Sequence, residues 1–149
     1  MSELLIKIID LANDIYSSLG PGYSEAIYHR AFEVALRTNG INYNSEVITP
    51  IFYKGHNIGH GRVDIIIGNS LIIELKALSV FNLDTANIQI KNYINQYSIS
   101  DGLIINFGQP SKIGDTGYIG IKYINKNNGI FKIYQYINGS FVDTEMNII

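Results

Sequence analysis

Leu4, Leu5, Ile8, Ile9, Ala12, Ile15 and Leu19 recur at steps of three and four, which places one apolar stripe on a helix ending near Gly20-Pro21-Gly22. Lys7, Asp10 and Asp14 fall on its opposite face. A second helical pattern starts at Ser24, whose hydroxyl suits an N-cap. It runs through Ala26, Ile27, Ala31, Phe32, Ala35 and Leu36 to a stop at Asn39-Gly40. The period then changes from about 3.6 to 2, with β-branched and aromatic residues concentrated in Val47–Tyr53, Arg62–Ile67 and Leu71–Ala77. Lys54-Gly55-His56-Asn57 and Gly68-Asn69-Ser70 supply the intervening turns. Asp84–Tyr97 returns to helical spacing, Leu103–Phe107 reads as a buried strand, and Tyr118–Ile124 and Ile130–Ile137 alternate around Lys126-Asn127-Asn128-Gly129. The order ααβββαβ with further strands predicts an α/β or α+β fold: one central mixed sheet flanked by helices, extended by a C-terminal hairpin.

At 149 residues the chain fits one domain. Its 46% apolar and 16% charged residues exclude a disordered chain. The apolar runs are strand-sized, well short of the roughly 18 residues a bilayer span needs, so no membrane segment is expected. Glu3, Lys7 and Asp10 interrupt the hydrophobic stretch that a secretory signal requires. Zero cysteines exclude a disulfide framework, a thiolate zinc site and a cysteine nucleophile. These features lead to the expectation of a non-secreted, intracellular protein, cytoplasmic or, for a viral chain, in the virion or the host cell's nucleus or cytoplasm. A net charge of −2 argues against nonspecific coating of nucleic acid. Positive charge gathers locally, in Lys112, Lys122, Lys126 and Lys132, across a stretch whose one acid is Asp115.

The chemistry enters where charges interrupt strands otherwise built for a core, Arg62-Val63-Asp64-Ile65-Ile66-Ile67 and Leu71-Ile72-Ile73-Glu74-Leu75-Lys76-Ala77. Glu74 and Lys76 are two apart, so alternation sets them on one face. With Gly68-Asn69-Ser70 as the connecting loop, Asp64 stands directly opposite Glu74 and their carboxylates share that face. Like charges about 5 Å apart across a ladder destabilise a sheet, and burial increases the cost. A divalent cation with a preference for oxygen relieves it, because Mg²⁺ is commonly held by one or two carboxylates while keeping waters and phosphate oxygens. Beside it, the Lys76 ammonium would orient water and screen developing negative charge, an arrangement suited to phosphodiester hydrolysis. The alternative is a surface salt bridge between Glu74 and Lys76 with Asp64 unrelated.

Asp64 and Glu74-Leu75-Lys76 on their apolar strands resemble the signature of the PD-(D/E)XK nuclease superfamily. Gly22-Tyr23-Ser24-Glu25-Ala26-Ile27-Tyr28 is similar to the G-x-x-E-x-x-Y motif of the GxxExxY protein family. Gln89-Ile90-Lys91-Asn92-Tyr93 resembles the Q-x-x-x-Y helix that follows the E-x-K strand in exonuclease-like and RecB-like branches. Tyr53-Lys54-Gly55 and Asn106-Phe107-Gly108 look like the same family. The resemblance covers about residues 4–125 and leaves about 126–149 as a β extension of the same single domain. It implies a restriction-endonuclease-like fold and Mg²⁺- or Mn²⁺-dependent hydrolysis of DNA. It further implies Asp64, Glu74 and the Leu75 backbone carbonyl as metal ligands, supported by Glu25, with Lys76 assisting the attacking water and Gln89 orienting water or phosphate.

Several of these residues have a second reading. Glu25 lies in the first turn of its helix, where the helix dipole alone favours a carboxylate. Tyr28 and Tyr93 suit half-buried packing with a hydroxyl at the site's edge, and Gln89 also suits a solvent-facing helix position. Arg62, Tyr93, Lys91 and Lys122 are candidate substrate contacts, Arg62 because it precedes Asp64 by two on the same strand. His29, His56 and His60 are read as surface or strand-end residues, the last two in a Gly-rich turn, without the further ligands a zinc site needs. The interleaved tyrosines and lysines of residues 117–123 and 130–136 suit base stacking, a half-exposed sheet or the interface of a homodimer. A different functional class also fits: a nuclease-fold protein that binds DNA or nucleoprotein, or serves an assembly, without cutting. The acidic balance motivates it.

Overall fold

The computed structural model describes residues 2–79, 83–110 and 118–143. Lys112 and Asp115 of the basic stretch, and the end of the expected C-terminal extension, lie outside the described residues. Among the described residues three helices, α1 (Glu3–Leu19), α2 (Glu25–Thr38) and α3 (Leu83–Tyr97), accompany seven strands. These are β1 (Asn44–Tyr53), β2 (His56–Ile67), β3 (Leu71–Lys76), β4 (Asp101–Phe107), β5 (Ile119–Asn127), β6 (Ile130–Ile137) and β7 (Ser140–Asp143). The strands form one sheet in chain order, β1-β2-β3-β4-β5-β6-β7. Every join is antiparallel except β3–β4, which is parallel. A parallel pair cannot be closed by a hairpin, and α3 provides the crossover.

Strand alternation splits the core in two. Ile65, Ile73, Leu75, Leu103 and Ile105 face α1 and α2, where Ile8, Ile15, Phe32 and Leu36 cover them. Ile66, Ile72, Ile104 and Ile124 face α3 and meet Ile90 and Ile94. Gly102 brings α3 close, since a Cβ there would lie 2.7 Å from Ile90 Cδ1. The expected mixed sheet between helices is the one that forms, and no helix of the described residues is long and apolar enough to cross a membrane.

Three local expectations change. Ser24 sits at the N-cap of α2, but its hydroxyl caps nothing; Ser2 instead accepts from Leu5 N at 3.2 Å at the start of α1. The first hairpin turns on Lys54-Gly55 alone, both at positive φ (47° and 79°), as a two-residue hairpin of this type requires. His56 and His60 therefore lie on β2 and not in a turn. β7 is a strand that the sequence reading does not name, reached through another such turn at Asn138-Gly139 (φ 49° and 82°). Beyond Thr49, β1 and β2 continue as a two-stranded ribbon. Ile51, Phe52, Tyr53 and Ile58 remain exposed on it.

Candidate active site

β2 and β3 pair in the register the three-residue loop dictates, Ile67 with Leu71, Ile66 with Ile72 and Ile65 with Ile73. The ladder ends there, and carboxylates take over from backbone carbonyls. Leu75 N donates to Asp64 Oδ2 at 2.7 Å, and Asp64 N donates to Glu74 Oε1 at 3.3 Å. On the other side of β2 the pairing with β1 runs from Asn44–Ile66 to Ser45–Ile65, then skips Glu46 and Asp64 and resumes at Val47–Val63. Glu46 has φ 52°, and the strands turn over about this point. Ile65 belongs to the core under α1 and α2, whereas Val63 and Val47 belong to the α3 side. The gap so opened holds Asp64 and Glu74, 6% and 2% exposed, against each other.

Burial, and after it the neighbouring Asp64 charge, pushes Glu74 up to about 8; the Asp64 backbone N–H and Lys76 oppose the rise. Neither the His29–Glu33 pair nor the Arg62–Glu46 pair involves these carboxylates. Lys76, half-buried, acts on Glu74 and Glu25 through space. Its backbone is fixed by β4, because Lys76 pairs with Asn106. The Asn106 amide then extends the parallel ladder: Oδ1 accepts from Leu78 N at 2.8 Å and Nδ2 donates to Leu78 O at 3.1 Å.

The G-x-x-E-x-x-Y segment acts as a brace. Tyr28 is fully buried and stacked on Phe107 at 4.5 Å. Its hydroxyl donates to Gly20 O at 2.6 Å and accepts from Gln109 Nε2 at 3.3 Å, while Gly22 N donates to Gln109 Oε1 at 2.7 Å. Gly22 holds φ 108°, a conformation that favours glycine. The start of α2 is thereby tied to the end of β4, and Glu25, one turn before Tyr28, points at the gap. Withdrawal of water, then Asp64, raises the Glu25 carboxyl, against Lys76, His29 and Arg62. A polar cleft of about 530 Å³ joins Glu25, His29, Arg30, Glu46, Arg62 and Asp64.

From the other face, Tyr93 of α3 reaches the gap. Burial raises its hydroxyl, and Glu74 and Asp64 add to the rise against the hydrogen bond from Gln89 and the Arg62 backbone. Gln89 Nε2 donates to Tyr93 Oη at 3.3 Å, and Tyr93 Oη donates to Arg62 O at 3.3 Å. Gly61 makes room, since a Cβ there would stand 2.8 Å from Tyr93 Oη. Gln89 thus reaches the carboxylates through Tyr93.

The other candidates divide. Arg62 is exposed, 3.7 Å from Glu46, and shares the polar cleft with Asp64. Lys122 is 8% exposed on β5, in one cross-sheet row with Ile104 and Glu74. Lys91 is not brought to the gap; its Nζ lies 5.4 Å from the centre of the Phe131 ring on β6. His29, expected at the surface, is 7% exposed and bonded through Nε2 to Ser45 Oγ at 2.8 Å. The sequence reading passed over His29, Asn106 as a clamp, and Gln109. His29 follows Glu25 by four, the spacing that sets two helix residues on one side.

Residues 2–116 match the PD-(D/E)XK nuclease superfamily. A comparison with the curated proteins gives no match. Among solved structures, the crystal structure of SSO0001 is similar, with a TM-score of 0.51 and 26% identity over 68% of this chain. The alignment takes in 49% of that protein, so the chain corresponds to about half its length. The strand order around the divided ladder, the two carboxylates in its gap and the matched segment together identify the chain as a member of the PD-(D/E)XK nuclease superfamily.

Proposed function

We propose that the protein hydrolyses DNA phosphodiester bonds with the help of Mg²⁺ or Mn²⁺. The observation that carries this reading is the pair of almost fully buried carboxylates, Asp64 and Glu74, held against each other where the β2–β3 ladder ends. The donor set fits a hard divalent ion. Each carboxylate accepts from a backbone N–H through one oxygen, and the two side chains lie within hydrogen-bond reach of each other. The Leu75 carbonyl shares the strand edge of the N–H that binds Asp64, since both groups of a strand residue point the same way. No three His, Asp or Glu side chains among the described residues gather into a cage, and Mg²⁺ is typically held by one or two carboxylates with waters and phosphate oxygens completing its shell. Asp64, Glu74 and the Leu75 carbonyl would hold the ion, with Glu25 supporting from α2. When bound, it would acidify a water and neutralise charge on the phosphate.

The chain's own groups supply the rest. Lys76 brings a positive charge to the gap and forms no ion pair among the described residues, so it can donate to the attacking water and to the phosphate. Gln89 positions Tyr93, and Arg62 offers a guanidinium at the mouth of the polar cleft. Purified protein incubated with single- and double-stranded DNA and RNA, in Mg²⁺, Mn²⁺ or chelator, is expected to cut DNA in the metal arms. Asp64→Ala and Lys76→Ala are expected to abolish cleavage while the far-UV spectrum stays native. Unchanged cleavage in either variant refutes the assignment.

A second reading, binding or assembly without cutting, draws on the net charge of −2 and on the two-carboxylate donor set. It predicts nucleic-acid binding without turnover and no heat of metal binding by calorimetry.

A further inference from the structure

The gap between β2 and β3 has two unlike flanks. On the α2 side the cleft carries Glu25, Arg30, Glu33, Glu46 and Arg62. On the α3 side a groove of about 680 Å³ runs between α3 and the β1–β2 ribbon, and none of the described residues that line it is charged. Pro50, Ile51 and Phe52 form one wall and Ile88 the other; Phe52 is 60% and Ile88 62% exposed. The floor carries amides. Gln96 is committed to Pro50 O at 3.1 Å and Gln89 to Tyr93, whereas Asn92 has no partner among the described residues. Tyr93 closes the inner end, next to Glu74 and Asp64.

We infer that this groove takes an unpaired nucleobase of the strand whose phosphate lies at the carboxylates, so that the substrate is single-stranded or locally opened DNA. The placement rests on the nuclease reading above. A groove whose described lining carries no cation offers little to a sugar-phosphate chain, whose affinity comes from cations. Apolar walls with an aromatic ring suit the flat face of a base, and a free carboxamide suits its hydrogen-bonding edge. In a duplex those faces are stacked on neighbouring pairs, so such a groove is served only by a base that has left its stack.

The test measures binding by fluorescence anisotropy in chelator, where no cleavage intervenes. The probes are a labelled oligothymidylate, an abasic strand of equal length and a duplex. Wild-type protein is expected to bind the thymidylate strand more tightly than the abasic strand or the duplex by roughly 5- to 100-fold, the range that stacking on an aromatic side chain supplies. Phe52→Ala is expected to collapse that ratio, and Asn92→Ala to reduce it. Both side chains are exposed, so the fold tolerates their loss. Equal binding of abasic and thymidylate strands, duplex binding as tight as single-strand binding, or a ratio untouched by Phe52→Ala overturns the inference even if wild-type protein cuts DNA in Mg²⁺. Retained base-dependent binding without metal-dependent cleavage overturns the nuclease reading and leaves the groove assignment standing.

Discussion

Replacing Glu74 with glutamine should stabilise the metal-free protein at alkaline pH while removing its response to metal. Glu74 is 2% exposed beside Asp64, and its carboxyl is pushed from 4.5 up to about 8. A folded-state value above the unfolded one means that the native protein holds a proton the unfolded chain has released. That contribution is complete below about 4.5 and is lost as pH rises through about 8. At about 1.4 kcal/mol per pH unit the interval amounts to a ceiling of roughly 5 kcal/mol, and relaxation of the site brings the expectation to roughly 2–5 kcal/mol. Glutamine keeps an oxygen for Asp64 N and presents an N–H to the Asp64 carboxylate, so the isostere has no charge to bury. Urea unfolding in chelator should show wild-type stability falling between pH 5 and 9 and the variant's staying nearly level, with the variant the more stable by pH 9. Added Mg²⁺ or Mn²⁺ should then stabilise wild type and not the variant. A Glu74→Gln protein no more stable than wild type at pH 9 in chelator refutes the electrostatic account of the gap.

Tyr28→Phe keeps the stack on Phe107 and loses the hydroxyl bonds to Gly20 and Gln109. It should cost about 1–2 kcal/mol in urea unfolding and lower cleavage through Glu25. Gly61→Ala sets a Cβ against Tyr93 Oη; cleavage assays should show a loss larger than the accompanying fall in thermal midpoint. Arg62→Ala breaks an exposed pair with Glu46, worth under about 1 kcal/mol. Its unfolding curve should overlay that of wild type while its affinity for DNA falls and its salt dependence flattens.

The approach of Asp64 to Glu74 was legible because two facts fix it, a loop of three residues and the period of two on either side. The turning-over of β1 and β2 at Glu46 was not, since a positive φ at a glutamate leaves no mark in the sequence. The outer part of β2, His56–Gly61, escaped recognition for a related reason. Both faces of the ribbon meet water, so no face selects apolar residues and no alternation arises. Glu25 and Tyr28 could be located from their motif, but the partner that braces them, Gln109, lies 81 residues beyond Tyr28 and is joined to it by folding alone. Lys91 shows the converse limit: helical numbering places it near Gln89 and Tyr93, yet two residues from Gln89 is more than half a turn, and it meets Phe131 instead.

The lone parallel join between β3 and β4 is a seam between two meanders, β1 to β3 and β4 to β7. Each meander can assemble from neighbours in the chain, whereas the seam waits for α3 to swing across, and such distant pairings form slowly. Asp64 and Glu74 belong to the first meander; the Asn106 clamp beyond Lys76 belongs to the second. Closing the seam is therefore what joins the strands that carry Asp64, Glu74 and Lys76 to the clamp that fixes the chain beyond them.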